Sequence, residues 1–263
     1  MRFGICLLAC IPLYANASQK SEMINQLLFG DVFEIQEIST NQKWFKIRLC
    51  FDHYEGWVDA TQYTEISEAE YAQLCQSDQI YVVTTSIATL KNLKDLTTIH
   101  LSVGSTLPFF NPKTQTLKVG NQVFKWQAGE YALLAPQNRD WICQKSFLFL
   151  NIPYLWGGRT WAGMDCSGFT QIIFKIAGYR LRRDACQQAT QGETIDFQDR
   201  QPADLAFFER EKRIVHVGLI LPENQIMHAL ASVRIDILTE IGIWNTDKQA
   251  YSHYLHSIKR MIK

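Results

Sequence analysis

The sequence has no excess of charge of either sign: 26 Lys and Arg balance 26 Asp and Glu, for a formal net charge of zero. That removes the basic field needed to hold a phosphate backbone, so nucleic acid is not an expected partner. There is no basic block, no C-terminal lipidation box and no apolar run near the roughly 20 residues that span a bilayer. The seven cysteines are odd in number and lack a CxxC pair or regular spacing. Such a set argues against a disulfide framework and for reduced thiols in a cytosolic protein. No Cys/His group has zinc-finger spacing, so a structural metal is not expected.

What is present is strongly patterned. "MRFGICLLACIPLYANAS" has one early Arg, an apolar stretch and Ala-x-Ala at 15–17, and its "LLAC" mimics a lipoprotein cleavage box. The apolar stretch is short, however, and carries a proline. Residues 1–66 read as a small barrel of short strands, with turns at Gly30 and Thr40-Asn41-Gln42 and a Gly-Trp before a later strand. "GICLLACIPLYA" is the candidate first strand of that barrel, and cleavage after Ala17 would leave an open edge. An uncleaved, cytoplasmic chain is therefore expected, with export or lipoprotein anchoring as the alternative.

Residues 67–78 read as a helical connector around "SEAEYAQLCQ". A second all-β module of similar size follows over 79–137, its alternating segments separated by turns at Gly104, Asn111-Pro112 and Gly120-Asn121. From 138 the pattern changes. "DWICQKSFLFLN" reads as a helix, and "CSGFTQIIFKIAG" as a second one stopped by Gly178. Strands follow at "DLAFFER", "IVHVGLIL", "QIMHALA", "SVRIDIL" and near "HSIKRMI". Helices followed by an antiparallel run of strands indicate an α+β domain over 138–263.

The chemistry centres on "YLWGGRTWAGMDCSGF" (154–169). A helix opening near Asp165-Cys166 puts the thiol at its positive end, which favours the reactive thiolate. Early-helix N–H groups can also serve a developing oxyanion. His216 and His228 lie in strands joined by the tight turn at 222–224. A hairpin there places His216 opposite a residue near 230, so His228 is one diagonal step away. Nucleophile, base and orienting group are then all available. A structural cysteine and core histidines are the plainer alternative. His53, His100, His253 and His256 show no partner pattern and receive no role, and Cys186 reads as a bystander.

"PYLWGGRTWAGMDCSGF", "RDACQQ", "PADLAFF", "HVGLIL" and "IMHA" together resemble the NlpC-type family of papain-like cell-wall cysteine peptidases, over essentially all of 138–263. The preceding modules resemble bacterial SH3-like domains. The nearest subgroup resembles γ-D-glutamyl-L-diamino acid endopeptidases. This implies a papain-like catalytic domain behind two small SH3-like barrels, and cleavage of murein peptides that carry a free N-terminal L-Ala. By the same resemblance Cys166 is the nucleophile, His216 the base and His228 the orienting residue. Tyr154 and Trp156 would line the site, Asp165 and Ser167 contact the peptide, and Asp184 hold the L-Ala ammonium. Ala185 stands where relatives often have Ser. Glu22 and Tyr54 would close the pocket over the amine. Rival readings are a non-catalytic cell-wall binding protein and an amidase or acyltransferase on the same scaffold.

Overall fold

The structure is a computed structural model that describes residues 2–262. The chain divides into two compact units, Met1–Leu134 and Ala135–Lys263.

The first unit is built on a seven-stranded antiparallel sheet. In spatial order its strands are Met23–Leu28, Cys10–Tyr14, Glu55–Asp59, Trp44–Leu49, Val32–Ile38, Arg2–Ile5 and Thr64–Ile66. The stretch expected to give one first strand gives two, Arg2–Ile5 and Cys10–Tyr14, and Ile5, Ile11 and Leu13 are buried. A helix at Glu68–Gln76 follows, capped reciprocally by Ser67 and Glu70. Residues 81–133 then form a four-stranded and a three-stranded sheet.

The expected pair of separate barrels is not borne out. Phe3, Ile5, Phe29 and Ile66 share one core cluster with Val83, Leu90, Leu101, Phe124 and Trp126, and Phe29 meets Phe124 edge-on at 5.6 Å. The first module also keeps a core of its own, a buried cluster around Ile11, Leu27, Phe33 and Ile47, so it contributes to two cores, one private and one shared. The all-reduced reading of the cysteines also fails, because Cys50 and Cys75 are joined in a disulfide.

The second unit begins with helix α1 (Arg139–Ser146), capped by the Asn138 side chain. A glycine-rich segment leads to α2 (Cys166–Ile176), every residue of which is buried. Its apolar face carries Phe169, Ile172, Ile173 and Ile176, and its polar face is buried too, with Ser167, Thr170 and Gln171 hydrogen-bonded to Arg183, Gln188 and Arg159. Gly178, at φ +85°, ends it. After α3 (Ala185–Gln188) come seven strands: β1 (Glu193–Ile195), β2 (Leu205–Arg210), β3 (Arg213–Leu221), β4 (Gln225–Leu230), β5 (Ser232–Leu238), β6 (Gly242–Asn245) and β7 (Ala250–Arg260). Their order is β1-β7-β2-β3-β4-β5-β6, and β6 also pairs with β7. The last six strands thus close into an antiparallel barrel with no free edge, and β1 adds to its outside. Ala206, Phe208, Ile220, Ile226, Leu238, Ile243 and Ile258 form its apolar core.

Candidate active site

Cys166 opens α2. The Asp165 side chain caps the helix by accepting from Gly168 N–H at 2.6 Å. The glycine-rich loop must pass very close to this first turn. A Cβ on Gly168 would lie 2.3 Å from the Gly158 carbonyl oxygen, so position 168 admits no side chain. Asp165 also accepts from Gly157 N–H at 2.8 Å and from both terminal nitrogens of Arg183, at 2.9 and 2.6 Å. Arg183 is 1% exposed and bonds the Ser167 hydroxyl at 2.9 Å. The carboxylate expected to touch peptide is therefore committed to holding the loop, the helix start and Arg183 together. Ser167 is tied to the same guanidinium.

On the barrel, β3 and β4 pair with Gly218 opposite His228, the register that puts His216 one diagonal step from His228. His216 Nε2 and His228 Nδ1 are 2.8 Å apart. β4 and β5 pair with His228 opposite Arg234, so Asp236 is one further diagonal step away, and its Oδ2 lies 3.0 Å from His228 Nε2. The period-2 alternation of strands puts all three on the inner face, as a polar patch in an apolar barrel. The backbone N–H of Val217, next to His216, is near enough to the Cys166 sulfur to favour its anion, which sets the thiol against the middle of β3.

Proton positions follow from this chain. Asp236 accepts from His228 and from Arg234 Nη2 at 2.8 Å. Burial raises its pKa, but these hydrogen bonds outweigh burial and hold it below the usual carboxylate range. An ionised Asp236 requires N–H on His228 Nε2, so His228 Nδ1 carries the lone pair. His216 must then donate from Nε2, which leaves a basic lone pair on its Nδ1. A buried carboxylate thus sets the basic nitrogen two residues away.

The charge state at rest differs from the expected thiolate. Burial first, and Asp165 second, push the Cys166 thiol from 9.0 up to about 12. That is roughly 4 kcal/mol against the anion. A helix N-terminus returns at most about 2 kcal/mol, so desolvation wins. His216 is held well below its ordinary value by burial, then by His228 and His253. Burial also lowers His228, although Asp236 opposes the shift. Thiol and imidazole are thus both neutral at rest.

The remaining residues fall as follows. Tyr154 is half-buried, and its hydroxyl is pushed up by burial and then by the nearby Cys166 and Asp165. Trp156 is 58% exposed and Trp161 43%, both on the glycine-rich segment. Asp184 is the half-buried N-cap residue of α3, and its own N–H donates to Gln187 Oε1 at 3.2 Å. Glu22 and Tyr54 belong to the first unit, where Glu22 is exposed and Tyr54 is half-buried against the cluster around Phe33 and Ile47.

Sequence reasoning missed Asp236, Arg183 and His253. Asp236 had a signal, because the tight turn at Ala231 repeats the diagonal logic of the preceding hairpin. Arg183 had none among its neighbouring arginines. His253 stacks on His216, with centroids 4.0 Å apart and planes 15° from parallel. His216, His228 and His253 bring ligand-type nitrogens within 4.8 Å of one another. Near-parallel rings aim their lone pairs side by side, however, and the first two nitrogens already share a hydrogen bond, so the group fits a proton chain better than a metal.

The chain is 26% identical over 229 residues to the gamma-D-glutamyl-L-lysine dipeptidyl-peptidase of Bacillus cereus, covering 80% of this chain and 68% of that protein. It is 26% identical over 237 residues to dipeptidyl-peptidase 6 of Lysinibacillus sphaericus, covering 82% and 83%. The gamma-D-glutamyl-L-lysine dipeptidyl-peptidase of Bacillus subtilis is 42% identical over 102 residues, a match spanning 37% of this chain and 34% of that protein. The crystal structure of an NlpC/P60 family protein from Bacillus cereus superposes with a TM-score of 0.81 at 19% identity, covering 99% of this chain and all of that one, which shows a shared fold. Residues 151–260 match the NlpC/P60 family and residues 13–62 the bacterial dipeptidyl-peptidase Sh3 domain. The chain thus carries an NlpC/P60 domain, preceded by a bacterial dipeptidyl-peptidase Sh3 domain.

Proposed function

We propose that this protein is a cell-wall cysteine peptidase that hydrolyses the γ-D-glutamyl–diamino acid bond of murein peptides with a free N-terminal L-Ala. The observation that carries this reading is the unbroken chain Asp236–His228–His216 across β5, β4 and β3, together with a buried thiol at the start of α2 that is influenced by the N–H of Val217, the residue next to His216. The names of the relatives support a peptidase, and those naming γ-D-glutamyl-L-lysine support the bond.

Because thiol and imidazole are both neutral at rest, the reading needs base-assisted attack. As Cys166 Sγ bonds to the γ-carbonyl carbon of D-Glu, its proton passes to His216 Nδ1. The backbone N–H at the start of α2 and the Tyr154 hydroxyl would receive the oxyanion. The C–N bond breaks as His216 gives its proton to the departing α-amine, leaving a thioester. Water then attacks with His216 again as base, and the sulfur leaves and regains its proton. His228 and Asp236 orient the base throughout. Trp156 lines the cleft, and Asp184 is assigned to the L-Ala amine.

That residues 2–14 supply two paired strands supports keeping this stretch in the working protein, and with it a cytoplasmic place. The Cys50–Cys75 disulfide points instead to an oxidising compartment. The mass of the mature N-terminus decides between them.

The test is incubation with L-Ala-γ-D-Glu-diaminopimelate, with free and blocked amine, followed by product mass. Release of L-Ala-γ-D-Glu from the free peptide is expected, and its loss in Cys166→Ala. Cleavage by Cys166→Ala at the parent rate would refute the assignment, and binding without cleavage by the parent would favour a non-catalytic wall-binding protein.

A further inference from the structure

β7 is irregular around His253. Against β6, Ile243 pairs with His253 but Trp244 pairs with Tyr251, so Ser252 is an extra, bulged residue. Against β2, Phe207 pairs with Ser257 but Phe208 pairs with Leu255, so His256 is a second one. Bulges bend a strand and re-aim its side chains, and two of them bracket His253. β6 also approaches this point unusually closely. Gly242 has φ +153°, and a Cβ there would lie 1.9 Å from the His253 carbonyl oxygen. Glycine is the residue that permits such an approach.

All three irregularities converge on one outcome. The His253 ring lies flat on His216, while Phe208, opposite His216 in register, meets His253 edge-on at 6.0 Å. His228 stands perpendicular to His216 and bonds its edge. His216 is thus held at its edge by one histidine and on its face by another.

We propose that His253 is a positioning residue for the hydrolysis: its stacked ring fixes the plane of the His216 imidazole and presents a neutral π face to the imidazolium formed when His216 takes the thiol proton. Its own protonation does not compete near neutral pH, because burial and then His228 hold it down at about 4. The groups around it are His216 on β3, His228 on β4 and Asp236 on β5, with the His253 Nδ1 itself 3.1 Å from the Ser252 hydroxyl. A cation on an aromatic face is a modest interaction, so the expected effect is modest too.

This inference rests on the peptidase reading, and its test separates the two. His253→Ala removes the ring and His253→Phe keeps a neutral one. In tripeptide hydrolysis, His253→Ala is expected to lower kcat about 5- to 30-fold with KM within about 2-fold, and His253→Phe to recover most of the loss. The rate of Cys166 alkylation by iodoacetamide at neutral pH should follow the same order, because the oriented base governs thiolate formation. Parent-like kcat in His253→Ala, or equal impairment in Ala and Phe, would overturn the proposal. If His253→Ala fails to fold, His253→Phe decides alone: a folded, active protein supports the stack and a folded, impaired one refutes it. Should the parent cleave no murein peptide, the peptidase reading falls, and the alkylation series still decides on the stack.

Discussion

Replacing Asp236 by Asn tests the proton chain most directly, because it removes one charge and changes almost no volume. Asp236 has two neighbours with fixed demands: Arg234 Nη2 donates to Oδ1, and His228 Nε2 faces Oδ2. A guanidinium accepts nothing, so the asparagine must turn its carbonyl oxygen to Arg234 and its NH2 to His228. His228 Nε2 then has to accept, its Nδ1 carries the proton, and His216 Nε2 must accept in turn. The His216 proton moves to Nδ1, the nitrogen required to be basic. A tautomer mis-set in this way lowers kcat about 10⁴-fold in the Ser-His-Asp triad. Here the fault originates one imidazole farther away, so we expect a fall of about 10²–10⁴ in kcat, roughly 3–5 kcal/mol of barrier. KM should hold, since Asp236 is only 4% exposed. Steady-state hydrolysis of the tripeptide provides the assay, and histidine ¹⁵N shifts report the tautomers. A folded Asp236→Asn protein within about 3-fold of parental kcat would refute the reasoning.

Two further outcomes concern stability. Arg183→Met leaves the Asp165 carboxylate buried without its counter-ion, so urea denaturation should show a loss of about 3–5 kcal/mol, and an unchanged midpoint would contradict the structural role given to this pair. His216, His228 and His253 are all held below the ordinary imidazole value, so on acidification the unfolded chain takes up protons that the folded chain refuses. Stability should therefore decline as pH drops below about 6.5. Cys166 and Cys143, pushed by burial up to about 12 and about 11, act at the other end, where stability should decline above about pH 8.5 as the unfolded thiols ionise. Tm measured at pH 5, 7 and 9.5 checks both limbs, and His253→Phe should flatten the acid limb. A Tm that stays level from pH 7 to 5 would speak against the buried neutral imidazoles.

Local sequence alone determined much of this protein. The Asp-Cys-Ser-Gly helix start, the glycines that let a loop lie on its first turn, and the short turn pairing His216 with His228 are all local features. Their geometry depends on caps, turn chemistry and period-2 register, which a few neighbouring residues dictate. Asp236 was readable by the same hairpin logic. Tertiary structure decided the rest. Burial reversed the expected charge of Cys166, because desolvation depends on how completely the fold covers the thiol. The core shared by residues 3–66 and 83–126 depends on long-range packing rather than on alternation within either stretch. His253 reaches His216 through two bulges and one glycine approach, and each breaks the regular register from which spacing arguments are made.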